Sequence, residues 1–125
     1  MSLPWLWLSA QKVIEKEFIL PTGAQVELVF PWVDHVSFQG VDDEIPLKII
    51  YKAEGEYQNQ IFLSHIKKIG LLHIEEKLSP LALKPNDKLS AHKNIVSNVT
   101  VYAPEVVKIF LKVKDAVVEI LGSVS

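Results

Sequence analysis

The stretch VTVYAPEVVKIFLKVKDAVVEILG, Val99 to Gly122, decides how the rest of the chain is read. Apolar residues occupy alternate positions at Val107, Ile109, Leu111 and Val113, with Lys108 and Lys112 between them and Lys114 following. The alternation resumes at Ala116, Val118 and Ile120. A period of two is that of a strand with one buried face, whereas a helix would need apolar residues three and four apart. Lys114-Asp115 interrupts the run. The spacing therefore predicts two strands joined by a short turn, with Gly122 closing the second.

The same order occurs earlier in the chain. Val26, Leu28 and Phe30 alternate with Gln25, Glu27 and Val29. Pro31, which has no N–H for a ladder, then ends the strand. His35 to Gln39 alternates at Val36 and Phe38, and Gly40 closes it. Val26, Leu28 and Phe30 correspond to Val107, Ile109 and Leu111. Val36, Phe38 and Gly40 correspond to Val118, Ile120 and Gly122 after a one-residue shift in the connecting turn, a weak internal repeat of strand, break, strand and glycine.

The remaining segments follow the same grammar. Lys12 to Leu20 reads as a strand whose Glu15, Lys16 and Glu17 keep an edge soluble, and Pro21-Thr22-Gly23 is a turn. Asp42-Asp43-Glu44 forms an acidic turn before Ile45 to Ala53, with Leu47, Ile49 and Tyr51 on one face. Tyr57 to Lys68 would also suit an amphipathic helix, but its β-branched and aromatic content and its strand neighbours favour a strand. Leu71 to Glu76 is a short strand, and Ser79 to Asn94, with Pro80 and Pro85, is one long loop. About nine short strands with regular turn signals predict an all-β domain, a β-solenoid or β-roll of short stacked strands, with a β-sandwich as the alternative. The expected inward ladder is Val26, Leu28, Phe30, Val36, Phe38, Leu47, Ile49, Ile74, Val101, Ile109, Leu111, Val118 and Ile120.

Bulk composition narrows the function classes. At 125 residues, 49% hydrophobic and 22% charged, the chain can bury one core and is no disordered tail. Its thirteen positive side chains are all lysine, and the net charge is −2. Without the arginine fork that suits phosphates and base edges, nucleic acid is not an expected partner. Cysteine is absent, which removes thiolate metal sites, cysteine nucleophiles and disulfides. No apolar run approaches the roughly 20 residues that cross a bilayer. Leu3 to Leu8 followed by Ser9-Ala10 looks like the tail and cleavage site of a secretory signal without its basic start. Residues 1–10 are thus read as a signal-peptide remnant or an N-terminal cap, and residues 11–125 as one domain. As a cap, Trp5 and Trp7 would form an apolar contact patch if left uncovered.

Candidate chemistry is sparse. His73 and Glu75 are two apart and so share a strand face, a spacing that suits two metal ligands, but no third ligand stands at a fixed distance from them, from His35, His65 or His92. Asp42, Asp43 and Glu44 are contiguous, unlike the alternate oxygen ligands of a calcium loop, and a solvated turn accounts for them better. Asp34 and Asp115 occupy matching turns. No Gly-x-Ser-x-Gly elbow or glycine-rich phosphate loop occurs. Lys108, Lys112 and Lys114 could meet anionic polysaccharide or lipid headgroups, and Trp5, Trp7 and Trp32 could stack on sugars. The plainer account of those lysines is an outward strand face protected against aggregation. No catalytic, cofactor-binding or metal residue is assigned.

Glu17-Phe18, Gly23-Ala24-Gln25-Val26, Val36-Ser37-Phe38-Gln39-Gly40, Val99-Thr100-Val101, Ala103-Pro104-Glu105 and Val118-Glu119-Ile120-Leu121-Gly122 together resemble the opening of the bacterial auto-transporter adhesin head family of GIN-like domains, over roughly Lys12 to Gly122. The resemblance implies an exported β-solenoid that serves, without catalysis, as a cell-envelope or extracellular adhesin-like module. It also implies polysaccharide or another envelope protein as partner and supplies no catalytic residue. The family continues with further glycine-punctuated coils where this sequence stops. The chain is then either a short stand-alone member or the first segment of a longer solenoid, associating with copies of itself through strand edges or solenoid ends. The alternatives are a polysaccharide-acting enzyme on a β-helix scaffold, which requires its acidic and basic groups clustered on one outer face, and a capping segment of a longer solenoid.

Overall fold

The structure is a computed structural model that describes residues 11–55, 61–79 and 95–121. These residues form nine strands and no helix: β1 (Lys12–Phe18), β2 (Gln25–Phe30), β3 (His35–Val41), β4 (Leu47–Gly55), β5 (Ile61–Lys68), β6 (Leu71–Leu78), β7 (Ile95–Pro104), β8 (Lys108–Val113) and β9 (Val117–Leu121). The ambiguous segment before Lys68 is a strand from Ile61, as its β-branched content predicts. The expectations for residues 1–10, including Trp5 and Trp7, for most of the long loop, for His92 and for the closure of the last strand at Gly122 lie outside the described residues.

The strands make two open mixed sheets. The larger has the order β1-β4-β7-β3-β9 and the smaller β5-β6-β2-β8. Each sheet contains three adjacent strands that run parallel. β6, β2 and β8 run parallel in the smaller sheet, and β7, β3 and β9, each next in the chain after its partner, run parallel in the larger. Each consecutive pair, β2–β3, β8–β9 and β6–β7, places one strand in each sheet, so that three arch-like pairs stack side by side. Antiparallel strands flank them: β5 beside β6, and β4 and β1 beside β7.

The all-β reading therefore holds. The parallel arches are the feature a solenoid shares, but the antiparallel flanks and the two open sheets are compatible with the sandwich alternative, and a complete solenoid is not confirmed.

The internal repeat is a physical neighbour relation. Val36 and Phe38 pair with Val118 and Ile120, as the pattern predicts, while Val26, Leu28 and Phe30 pair with Ile109, Leu111 and Val113. The first half of the expected match is thus slid by two residues. A slip of two keeps every side chain on its own face, which is why alternation alone cannot detect it. Gly40 does not close β3, because the strand continues through it to Val41.

Inward side chains from both sheets share one core. Val26, Leu28 and Phe30 of β2, Ile49 and Tyr51 of β4, Ile74 of β6 and Val101 of β7 are fully buried. The Phe30 and Tyr51 rings meet across the two layers with centroids 6.4 Å apart. Phe38, Ile109 and Leu111 are partly buried at the margin. Val118 and Ile120 depart from the expected core, being 43% and 79% exposed. They face inward, but β9 is the edge strand of its sheet, and nothing among the described residues covers the far side.

At the start of the smaller sheet's parallel strands, backbone bonds tie neighbouring strands together. Gln25 N–H donates to the Gly70 carbonyl and Lys108 N–H to that of Ala24, both at 2.9 Å, continuing the parallel ladder into the turns. Gly70 takes φ +73 as the second residue of the two-residue β5–β6 connection, a conformation that a Cβ penalises.

Candidate functional site

Three places gather polar or apolar groups in a way that secondary structure alone does not require. The first lies inside the protein, where the arch turns meet. Glu76 of β6 is 1% exposed and Ser97 of β7 is fully buried. The Tyr51 hydroxyl donates to Glu76 Oε2, and Trp32 N–H donates to Glu76 Oε1 at 2.8 Å. Ser97 Oγ–H donates to the Trp32 carbonyl at 3.3 Å, and Ser97 N–H donates to Asp34 Oδ2 at 2.9 Å. Asp34 returns its own N–H to the Ser97 carbonyl at 2.8 Å and accepts from Val117 N–H at 3.0 Å. Asp34, expected as a turn aspartate, thus bonds to all three arches' crossover region at once, through β7 on one side and β9 on the other.

Burial pushes the Glu76 carboxyl up to about 7, against the pull of its Tyr51, Trp32 and Val33 donors and with a further push from the Asp34 charge. Burial and the neighbouring Glu76 charge hold the Tyr51 phenol well above its ordinary value. Neither group lines any of the three clefts described below. A carboxyl that is bonded on both oxygens and screened from solvent is suited to fixing the crossover geometry rather than to meeting a substrate. From sequence, the signal was the even position of Glu76 in the β6 alternation: Leu72, Ile74, Glu76 and Leu78 share the inward face.

The second place is the outer face of the smaller sheet. His73 and Glu75 share this face, as their spacing implies, and the parallel register of β2 and β6 brings Glu27 opposite His73. His73 Nδ1 lies 3.0 Å from Glu27 Oε1, and Nε2 lies 3.2 Å from Glu75 Oε1. The bonds to Glu27, first, and to Glu75 raise the imidazole above its ordinary value. The two carboxylates sit on opposite sides of one ring. A single ion cannot be ligated by both ring nitrogens, so the arrangement describes an imidazolium clamped between carboxylates. Among the described residues no group of three or more His, Asp or Glu side chains is placed to hold a metal ion.

The other sequence candidates are dispersed. His65 faces inward on β5, where it meets Phe18 edge-on with centroids 5.0 Å apart and lies 3.1 Å from Lys16 Nζ. It is thus on the opposite face of the sheet from His73. His35 Nε2 contacts Glu119 at 3.3 Å on the outer face of the larger sheet. Asp42, Asp43 and Glu44 form the exposed turn between β3 and β4, closed by Ile45 N–H to the Asp42 carbonyl at 2.9 Å, and sit in the other sheet from His65 and His73. They line none of the described clefts. Lys108 and Lys112 point outward on edge strand β8, as alternation predicts.

The third place is an apolar cleft of about 630 Å³ between the two sheets at the β8–β9 end, lined chiefly by Phe38, Ala103, Ile109, Leu111, Val118 and Ile120. Smaller clefts of about 290 Å³ beside Lys48 and Tyr102 and about 230 Å³ beside His73 lie on the outer faces. The fold and these sites define an all-β domain of two mixed sheets built around stacked parallel arches. Comparison of the chain with protein-family models, curated proteins and solved structures returned no match.

Proposed function

We propose that this chain is a non-enzymatic, adhesin-like cell-envelope or extracellular module, related to the GIN-like adhesin head domains its sequence resembles, and exported. In the same reading its architecture is a two-layer sandwich organised on a short solenoid-like stack of three arches. The observation that carries the proposal is the outer face of the larger sheet. Registered pairing sets Asn98 beside His35, Thr100 beside Ser37 and Tyr102 beside Gln39, three successive rows of amide, hydroxyl and ring groups. Lys48 and Lys52 flank them on β4. Regularly spaced donors and acceptors with a Tyr ring, bordered by the Lys48–Glu15 and His35–Glu119 contacts, are suited to a hydroxyl-rich partner such as a polysaccharide, or to the face of another envelope protein.

The test is a chemical-shift titration of the purified protein with neutral and acidic envelope polysaccharides, alongside localisation of the native gene product. Shifts confined to Asn98, Thr100, Tyr102 and their β3 neighbours, reduced by Tyr102→Ala, support the proposal. Absence of binding in a glycan array together with retention in the cytoplasm overturns it.

A further inference from the structure

The two ends of the arch stack are built differently. At the β1–β5 end the gap between the sheets is spanned by inward-facing lysines. Lys12 Nζ donates to the Ile61 carbonyl at 2.7 Å, and Lys16 Nζ reaches His65 Nδ1 at 3.1 Å. Inward charges on an edge strand are a device that blocks further strand addition. At the β8–β9 end the inward positions are Ile109, Leu111, Val118 and Ile120, and they open into the apolar cleft of about 630 Å³. There β8 and β9 are the edge strands of their sheets, each paired on one side only among the described residues.

We propose that this open end is the contact surface for a second copy of the chain, forming a closed two-fold dimer. The proposal narrows the self-association that strand edges suggest to one end and one symmetry, and it is independent of which ligand the outer faces recognise. The occupant must do two things together. It must satisfy two strand edges held one sheet-spacing apart, and it must fill an apolar space between them. An acyl chain fills the space but offers no backbone groups to the edges. A single extended peptide pairs with one edge and leaves the other bare. A second open end matches both requirements, because its sheets have the same separation and its interior has the same chemistry.

A two-fold axis passing through both layers sets β9 antiparallel to its copy and β8 antiparallel to its copy while keeping inward residues inward, so both sheets become continuous. The lysine-closed end opposes head-to-tail addition, so the assembly stops at two.

The area fits. Val117, Val118, Ile120, Leu121 and Phe110 are 64%, 43%, 79%, 40% and 50% exposed. Val118 and Ile120 face the cleft, while Val117, Leu121 and Phe110 lie on the outward faces of the same two edge strands; together they offer on the order of 500 Å² of apolar surface, comparable to the largest patch of a typical monomer and over half of the roughly 800 Å² that each partner of a stable contact buries. The charges on the outward positions, Glu119 on β9 and Lys108 and Lys112 on β8, meet their own kind across the axis. The contact is therefore apolar in origin and is expected to tighten, not weaken, as salt rises.

The experiment is sedimentation equilibrium of the full chain over a wide concentration range and at low and high salt, with amide exchange read on β8 and β9. The expected result is a monomer–dimer equilibrium that strengthens with salt and protects the free-edge amides of both strands. Ile120→Lys, at a position too exposed to threaten folding, weakens it by roughly tenfold or more, because it places a charge in the apolar contact. Val13→Lys, on exposed β1 at the closed end, leaves it unchanged. A monomer at every concentration overturns the proposal. So does open-ended growth, or a dimer lost with Val13→Lys and kept with Ile120→Lys. A monomer whose β8 and β9 edges are protected until residues 1–10 are deleted assigns the cleft to that segment and also overturns it.

Discussion

Replacing Glu76 with glutamine isolates the one fully enclosed carboxyl described in this protein. In the unfolded chain this group titrates near 4.5, and in the folded protein burial moves it to about 7. Each pH unit between those values is worth about 1.36 kcal/mol, so folding holds the proton more tightly by on the order of 3 kcal/mol. The sign follows from proton binding. Between the two values the folded state carries more protons than the unfolded state, so stability falls as pH rises from about 4.5 to about 7 and is level above that.

Glutamine has the same shape and still accepts from Trp32 N–H but does not titrate. The difference in unfolding free energy between Glu76→Gln and wild type should thus grow in favour of the variant by on the order of 3 kcal/mol from pH 4.5 to pH 8, roughly 10 °C in melting temperature. His73, also raised, loses its contribution as pH rises through its folded value, but it is common to both proteins and cancels in the difference. Urea unfolding followed by intrinsic fluorescence at a series of pH values measures it. A difference that stays constant across the range refutes the argument, whatever its absolute size.

Tyr51→Phe removes the hydroxyl that donates to Glu76, so it should cost about 1–3 kcal/mol at pH 8, where the carboxylate is charged, and less at pH 4.5, as denaturation at the two pH values will show. Glu27→Gln should lower the His73 titration midpoint, and more than Glu75→Gln does, because the Glu27 bond is the larger cause of its rise. Ring-proton NMR titration reads both. Within one ladder, Leu28→Ala should cost about 2–5 kcal/mol, since Leu28 is fully enclosed. Ile120→Ala, measured at dilution, should stay within about 0.5 kcal/mol.

Much of the strand content was legible because alternation is a local property. Val26, Leu28 and Phe30 face inward wherever their strand is placed, and Pro31 ends that strand because it has no N–H to offer. The resemblance between the two arches was legible too, and it marks strands that lie side by side. The two-residue slide in its first half was hidden, since a shift by a full period leaves the inward and outward sets unchanged.

The candidate sites divide in the same way. His73 and Glu75 are two apart in the chain, so their shared face could be read directly, whereas Glu27 joins them only through the parallel pairing of β2 with β6. Glu76 occupies an inward position of a clear alternation. Its role depends on Tyr51 of β4 and on Trp32 in the β2–β3 connection, which bond to it directly, and on Ser97 of β7, which holds the Trp32 carbonyl and Asp34 in place.

The amino-acid order alone determined that these segments are strands, which face of each is apolar, and where most of them turn. Those properties follow from a side-chain period of two and from proline and glycine, none of which needs a neighbour to be known. Only the tertiary structure decided that central strands run parallel while flanking strands run antiparallel, that lysines close one end of the stack, and that Val118 and Ile120 lie open at the other. The reason is that an edge is not a property of a strand's own sequence. It depends on which strands lie beside it, and that is set by the packing of the whole chain.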